Sequence, residues 1–215
     1  MAVSAQSKAM DEVQQALNGF LQEQGFRKRA RTYSRKTADG LTQVLNFQMG
    51  RFEPPGSTAG MRPISSFYGQ FTVNLGIFIP EVSAALRPWA GKTITEPLCE
   101  LRVRLGALVY PFGDRWWPVD PHATVIEELD DLLRSAAVGF WDQFSGREKV
   151  LSYLAAPDKP QFTLRAKLVR ALILAQAGDK AAATVLLDSH IADAMAVGNA
   201  RHAAYVKDLR QTLGF

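Results

Sequence analysis

The stretch RTYSRKTADGLTQVLNFQM, residues 31–49, decides the fold that we predict for this chain. Two segments of strand-forming residues flank Asp39-Gly40, a pair that is typical of a two-residue hairpin turn because both turn positions need a positive φ. With this turn, Ser34 lies opposite Leu45. Residues 31–49 therefore predict a β-hairpin to which later strands are added.

The later segments FTVNLGIFI (71–79) and CELRVRL (99–105) alternate apolar and polar residues, as strands with one buried face do. Residues 8–24 place apolar residues at helical spacing and are followed by Gly25, which suits a helix C-cap. We therefore expect an α+β fold, with an antiparallel sheet of about four strands and the N-terminal helix packed on one face.

Beyond residue 118 the strand pattern gives way to helical periodicity. We expect a sheet domain over 1–118 and an all-helical segment over 119–215, which can dock onto it as one compact unit. Ser145 to Glu148 has the pattern of a capping box that opens a helix. The two alanine-rich helices around Gly178-Asp179 resemble one tetratricopeptide hairpin. A stable array needs about three repeats, so a packed helical hairpin is the favoured interpretation.

The composition is that of a globular chain: 215 residues, of which 47% are apolar and 21% are charged, with a net charge of +4. No apolar run reaches the roughly 18 residues that a membrane helix needs, so we expect no membrane association. The single cysteine, Cys99, excludes an intrachain disulfide and indicates a reducing compartment. The N-terminal residues lack the apolar core of a signal peptide, and we therefore expect a cytoplasmic protein.

Most of the excess positive charge lies in residues 27–36, which contain six lysines and arginines. Two interpretations are open. A basic stretch can contact the phosphates of a nucleic acid. Charges on a strand edge also prevent edge-to-edge pairing between molecules, and we favour this second interpretation because no aromatic stacking motif is interleaved with the charges.

No residue pattern indicates catalysis, and the chain lacks the GxGxxG, Walker A, HExxH, GxSxG and CxxC motifs. Cys99 alternates with the core residues of its strand and is interpreted as a buried thiol. His190 and His202 can meet between the last two helices, but two ligands make a poor metal site. The acidic residues 127–131 are interpreted as the solvated face of a helix. We therefore expect no cofactor, metal or catalytic residue, although missing motifs only lower the odds of an enzyme.

The strongest candidate site is the polar face of the predicted sheet, opposite to the N-terminal helix. Arginine, tyrosine and tryptophan dominate interface hot spots, and two arginines spaced two apart on one strand can bind carboxylates or phosphates. The candidate binding residues on and beside this face are Asn46, Gln48, Tyr68, Gln70, Asn74, Arg102, Arg104, Trp116 and Trp117. The alternative is that the C-terminal helices cover this face and that Glu100 and the acidic helix pair with its arginines.

A family resemblance is carried by GFRKRARTYSR (25–35), VLNFQMGRF (44–52), FTVNLGIF (71–78), CELRVRLGAL (99–108) and DRWWPVD (114–120). In their order and spacing these segments resemble a bacterial family known only as domain of unknown function 4304. The resemblance covers residues 25–120, just under half of the chain. It implies an α+β fold. It implies no activity, cofactor or catalytic residue, because none is established for that family.

Three functional hypotheses follow. We favour a non-enzymatic protein-binding module, of an adaptor or immunity-like kind, that uses the polar face. The first alternative is a protein, and even an enzyme, that binds a small-molecule or phosphate ligand in a pocket between sheet and helices, lined by Arg102, Arg104 and Tyr68. The second alternative is nucleic-acid binding through residues 27–36, with an affinity that falls steeply with salt. The sequence specifies neither the partner nor the oligomeric state.

Overall fold

The structure is a computed structural model, and it describes residues 5–50, 67, 69–87, 91, 93–110, 114–119, 123–160 and 162–214. The strands are β1 (Arg27–Arg29), β2 (Thr32–Lys36), β3 (Thr42–Met49), β4 (Gln70–Phe78), β5 (Leu101–Arg104) and β6 (Trp117–Pro118). The α-helices are α1 (Ala5–Glu23), α2 (Pro80–Leu86), α3 (Ala123–Leu132), α4 (Val138–Gln143), α5 (Arg147–Ala155), α6 (Ala166–Gln176), α7 (Lys180–Ala196) and α8 (Ala200–Thr212). Short 3-10 helices span Glu96–Leu98 and Leu105–Leu108, and a π-helical stretch, Leu133–Ala137, joins α3 to α4.

Five strands form one antiparallel sheet in the order β1-β2-β3-β4-β5, and the two-residue strand β6 pairs with β4. The N-terminal helix α1 buries one apolar stripe, including Met10, Val13 and Leu17, in the same cluster as the sheet. The predicted α+β fold, with an antiparallel sheet, an N-terminal helix and a helical C-terminal part, is confirmed. The sheet exceeds the predicted strand number because β1 and β6 are short.

The hairpin between β2 and β3 forms where it was predicted, but with a three-residue loop. The N–H of Thr37 donates to the carbonyl of Leu41 (2.9 Å), which closes the loop. Within the loop only Gly40 has a positive φ, 81°, whereas a two-residue turn needs positive values at both positions. Ser34 consequently pairs with Val44. The predicted register is therefore wrong by one residue.

The hairpin loop also caps a distant helix. The backbone N–H of Arg147, the first residue of α5, donates to Oδ2 of Asp39 (2.5 Å), and the guanidinium of Arg147 lies 3.2 Å from Oδ1. The predicted capping box is wrong, because the N-cap residue is Gly146, which offers no side-chain oxygen. The hydroxyl of Ser145 instead donates to the carbonyl of Asp142 (3.1 Å). A contact distant in sequence thus replaces the local cap.

The main core lies between one face of the sheet and the helices. Alternate residues of β3 and β4, such as Leu45 and Leu75, belong to one hydrophobic cluster with buried residues of α1, α3, α5 and α6. The C-terminal helices therefore pack on the same face as α1. The alternative in which they cover the polar face is wrong. The cluster contains residues from both 1–118 and 119–215.

A smaller apolar cluster lies on the opposite face of the sheet. Its members are Val44, Phe78 and Cys99, with Ile94 and Leu98 packed against them. The expectation that Cys99 faces the main core is wrong, because β5 begins only at Leu101, after a 3-10 helix. The thiol approaches Gly76 so closely that a Cβ at that residue would lie 2.7 Å from Sγ. Burial raises the pKa of the Cys99 thiol well above its ordinary value, which keeps it protonated and unreactive.

The predicted helical hairpin around Gly178-Asp179 is present as α6 and α7. Oδ1 of Asp179 accepts a backbone N–H of the first turn of α7 (3.0 Å), as an N-cap residue does. Asn199 caps α8 in the same way (3.1 Å). The two caps fix where α7 and α8 begin, and the three helices pack on one another in sequence order.

Replacing Asp39 by alanine removes both the cap of α5 and the ion pair with Arg147. A lost N-cap costs about 1 kcal/mol, and we expect the free energy of unfolding to fall by about 1–2 kcal/mol. Urea denaturation followed by circular dichroism measures this change. The control is Asp158→Ala in an exposed turn, which should stay within ~0.5 kcal/mol of the unsubstituted protein. Equal losses in the two variants would contradict the capping role.

Candidate functional site

The polar face is the face of the sheet opposite to the main core, and strand pairing defines its rows. One row contains Asn46, Asn74 and Arg104, and the neighbouring rows contain Gln48 with Thr72, and Gly76 with Arg102. Because the paired residues of neighbouring strands lie on the same side of a sheet, both arginines lie on this face. The prediction that Arg102 and Arg104 lie on one face is confirmed.

The amide side chains on this face bond mostly to their neighbours. Nδ2 of Asn74 donates to Oε1 of Gln48 (2.9 Å), and Nδ2 of Asn46 donates to Oγ1 of Thr32 (2.9 Å). Asn74 is buried and Asn46 is half-buried, whereas Gln48 is exposed. The two asparagines therefore link strands at the centre of the sheet, and Gln48 is the amide of this group that a partner can reach.

An aromatic end of the polar face is formed by Phe67, Arg104, Asp114 and Trp116. The guanidinium of Arg104 lies 5.3 Å from the ring centre of Trp116, which stacks on Phe67 with ring centres 4.4 Å apart. Asp114 forms an ion pair with Arg104 and accepts the indole N–H of Trp116 (3.1 Å). Phe67 is 41% exposed. Gly69, with φ 74°, breaks the strand geometry between Phe67 and β4.

Arg102 is held by a buried acid. Its guanidinium donates to both carboxylate oxygens of Glu96, at 2.5 and 3.2 Å, and the Glu96 side chain is 8% exposed. This hydrogen bond is the main cause that raises the pKa of Arg102 above its ordinary value. A guanidinium that already has a bidentate carboxylate partner has few donors left for a second one. Arg102 is therefore first of all a structural residue.

The remaining predicted site residues are dispersed. Gln70 pairs with Pro118 where β4 meets β6. Trp117 is fully buried in the main core, with its ring centre 6.0 Å from that of Phe71. The expectation that Trp117 borders the polar face is therefore wrong, because the pairing of β6 with β4 directs it into the core. Tyr68 lies outside the described residues.

A basic groove lies at the other end of the sheet. Its volume is about 620 Å³, and among its described lining residues five are basic and none is acidic. The basic residues are Arg27, Lys28, Arg29, Arg35 and Lys36. Because Arg27 pairs with Ser34 and Lys36 pairs with Thr42, these two cations lie on the polar face. The basic residues 27–36 therefore lie at one edge of the polar face.

The cations of the basic groove differ in their partners. Arg35 stacks on Phe26 (4.7 Å to the ring centre) and donates to Oε1 of Gln43 (2.7 Å), and burial is the main cause that lowers its pKa. The side chains of Arg27 and Lys36 are exposed and have no hydrogen-bond or ion-pair partner among the described residues. The groove therefore offers positive charge that no described acid neutralises.

His190 and His202 meet between α7 and α8, with their Nε2 atoms 2.9 Å apart, as predicted. Burial, and then the neighbouring His202, lower the pKa of His190, so that this imidazole is neutral at physiological pH. Two nitrogens are fewer than a closed metal site uses. In the part of the chain that the structure describes, no three histidine, cysteine or acidic side chains come together to hold a metal ion.

The alternation of residues 99–105 predicts that Glu100 faces outward like Arg102, but its side chain is only 4% exposed. Oε2 accepts the backbone N–H of Ile79 (2.7 Å), while Oε1 has no hydrogen-bond partner among the described residues. Burial raises the pKa of Glu100 to about 7, although the bond from Ile79 and the charge of Arg87 oppose the shift. The alternation of residues along β5 does not predict the burial of Glu100, because the residues that enclose its side chain belong to other elements.

The chain matches no family model, no curated protein and no solved structure. The resemblance to domain family 4304 therefore stays a prediction. Among the described helices, none combines the length and the apolarity required to cross a membrane. The function is accordingly inferred from the geometry of the polar face.

Replacing Arg102 by alanine leaves the buried Glu96 carboxylate without its two guanidinium bonds. We expect the free energy of unfolding to fall by about 1–3 kcal/mol, measured by urea denaturation. The control is Arg201→Ala, an exposed arginine of α8 whose side chain has no ion-pair partner among the described residues, and it should change the stability much less. If Arg102→Ala costs no more than the control, its guanidinium is not needed for the fold and is free to bind a partner.

Glu100 makes the stability depend on pH. Its folded pKa of about 7 is above the ordinary 4.5, so the stabilisation from its protonated form is complete below 4.5 and is lost as pH rises through 7. The full loss amounts to about 3 kcal/mol at ~1.4 kcal/mol per pKa unit. In Glu100→Gln this loss is absent, so its stability relative to the unsubstituted protein should rise between about pH 5 and about pH 8. A pH-independent difference in urea denaturation would show that Glu100 is not perturbed.

Proposed function

We propose that this protein is a non-enzymatic binding module that recognises an acidic surface of another protein through the polar face of its sheet. The observation that carries the proposal is the basic groove, where five basic side chains and no acidic one line a space of about 620 Å³ among the described residues. Complementary charge steers association and fixes which partner is accepted. We place the interaction in the cytoplasm, the compartment that a single cysteine predicts.

The groove is a better anchor for an acidic partner than the arginines of β5. Arg102 and Arg104 already pair with Glu96 and Asp114, so a partner would have to displace an internal carboxylate. Arg27 and Lys36 are exposed and have no such competitor among the described residues. An acid that approaches them gains an ion pair without breaking one.

The aromatic end supplies a second contact region on the same face. Phe67 is 41% exposed and stacks on Trp116, and the guanidinium of Arg104 lies 5.3 Å from the ring centre of Trp116. Trp and Arg are enriched among the residues that carry binding energy at protein interfaces. A protein surface is large enough to touch both ends of one sheet face, since each partner in a stable complex buries about 800 Å².

A protein partner fits the groove better than a nucleic acid. Proteins that hold single-stranded nucleic acid stack the bases on aromatic side chains, and none of the described lining residues of the groove is aromatic. The charges on β1 and β2 also follow a strand edge of only three to five residues. This short edge limits the number of phosphates that it can contact.

The test is affinity capture from a lysate of the source organism, with nuclease treatment, followed by mass spectrometry. The bait variant Arg27→Glu/Lys36→Glu reverses two exposed charges of the groove and should lose the captured protein. The matched control is Arg201→Glu/Lys207→Glu, which makes the same charge change on exposed residues of α8 and should retain it. Circular dichroism confirms that both variants are folded.

Two further measurements separate the outcomes. The captured protein, once purified, should bind with an affinity that falls with salt and that the groove variant reduces by at least about tenfold. Equal capture by the groove variant and the control would overturn the proposal. Tight binding of a labelled oligonucleotide that only the groove variant loses would assign the face to nucleic acid instead.

A further inference from the structure

A second site lies away from the basic groove, where the sheet meets the helical segment. It is a cleft of about 430 Å³ between the edge of β5, the end of α2 and the start of α6. The carbonyl of Phe162 accepts the backbone N–H of Arg102 (3.0 Å) and so joins the two sides of the cleft. The apolar lining comes from Leu86, Pro97, Phe162, Leu164 and Val169. A volume of this size is within the range of small-molecule sites.

The cleft is positively charged. Arg87, Arg102 and Arg165 line it, and among the described lining residues Glu100 is the single acid. Arg102 is neutralised by Glu96. The guanidinium of Arg165 is exposed and has no hydrogen-bond partner among the described residues, although its backbone N–H donates to Oγ1 of Thr163 (3.2 Å). The guanidinium of Arg165 therefore has no acidic partner among the described residues.

A helix N-terminus adds to this positive potential. The cleft includes Thr163, Arg165 and Val169, at the beginning of the 11-residue helix α6. The N-cap residue Arg165 makes no side-chain hydrogen bond to the first turn. The free N–H groups of a first turn carry a partial positive charge and are a common binding place for anions.

Glu100 provides an independent observation at the same place. Its side chain is 96% removed from solvent, it lines the cleft, and Oε1 has no hydrogen-bond partner among the described residues, with Nη2 of Arg87 4.0 Å away. A buried carboxyl group that holds a proton near neutral pH can donate a hydrogen bond to an anion, as acids in apolar sites do. The carboxyl group of Glu100 is therefore a hydrogen-bond donor in the wall of the cleft that has no partner for Oε1 among the described residues.

We propose that this cleft binds a small carboxylate with an apolar body, held by Arg165, Arg87 and Glu100. The apolar walls take the body of the ligand, and the carboxylate meets two guanidinium groups and the N-terminus of α6. Because the protonated form of Glu100 is the donor, binding takes up a proton at pH values above the Glu100 pKa, where the free protein has lost it. The affinity consequently falls as pH rises through the Glu100 pKa of about 7.

The probe is benzoate, and benzyl alcohol is its neutral counterpart. Two-dimensional ¹H–¹⁵N NMR of the full chain should show that benzoate shifts the amide signals of Thr163 to Val169, whereas benzyl alcohol does so much less. Between about pH 6 and about pH 8 the dissociation constant of benzoate should rise about tenfold. The absence of any shift in these amides at tens of millimolar benzoate would overturn the proposal.

Two variants and one control test the roles of Arg165 and Glu100. Arg165→Gln should weaken benzoate binding at least about tenfold, because a charge-assisted hydrogen bond is lost. The control Arg201→Gln, an exposed arginine on α8, should bind as the unsubstituted protein does. Glu100→Gln should bind equally at both pH values, since its amide donates a hydrogen bond throughout. Equal affinities of the Arg165 and Arg201 variants, or a pH dependence that persists in Glu100→Gln, would overturn the proposal.

Discussion

Strand β4 hydrogen-bonds to β3, β5 and β6, and this pairing determines which side chains enter the core and which reach the polar face. Side chains alternate along a strand, so a slip of one residue would exchange the two faces. Leu75 pairs with Leu45 on the core face, and Asn74 pairs with Asn46 on the polar face. Gly76 belongs to the same constraint, since the closeness of Cys99 to it leaves no room for a Cβ.

Charge is distributed unevenly over the polar face. The arginines at one end are paired with acids of the protein, whereas cations at the other end have no such partner among the described residues and can bind another molecule. At β5 each arginine has an acid of its own, Glu96 or Asp114. At β1 and β2 no described acid lines the groove. The pair of half-exposed Arg102 with buried Glu96 is costly to break, because the buried carboxylate is then left without its partner. An exposed cation such as Arg27 contributes little to stability, so its side chain can be used for binding at low cost to the fold.

The features that the sequence predicted correctly are local ones. Alternation over residues 71–79 assigned the faces of β4, and Gly178-Asp179 marked a helix boundary, because both signals involve neighbouring residues. The hairpin register differed by one residue because the turn type depends on which residue takes a positive φ, and only Gly40 does. Trp117 and Glu100 were misplaced because their burial comes from elements distant in sequence. Charges at residues 27–36 were visible, but the lack of nearby acids was not.

The cleft at Glu100 links ligand binding to the docking of the helical segment. Arg87 and Glu100 belong to residues 1–118, whereas Phe162 and Arg165 belong to residues 119–215, and the bond from Arg102 to Phe162 connects them. A ligand that contacts both sides binds only when they are together. By mass action it then stabilises the docked arrangement, increasingly as its concentration exceeds the dissociation constant. Because Glu100 binds the ligand in its protonated form, the affinity for the ligand depends on pH. The pH and the ligand concentration therefore both influence how stably the helical segment docks on the sheet.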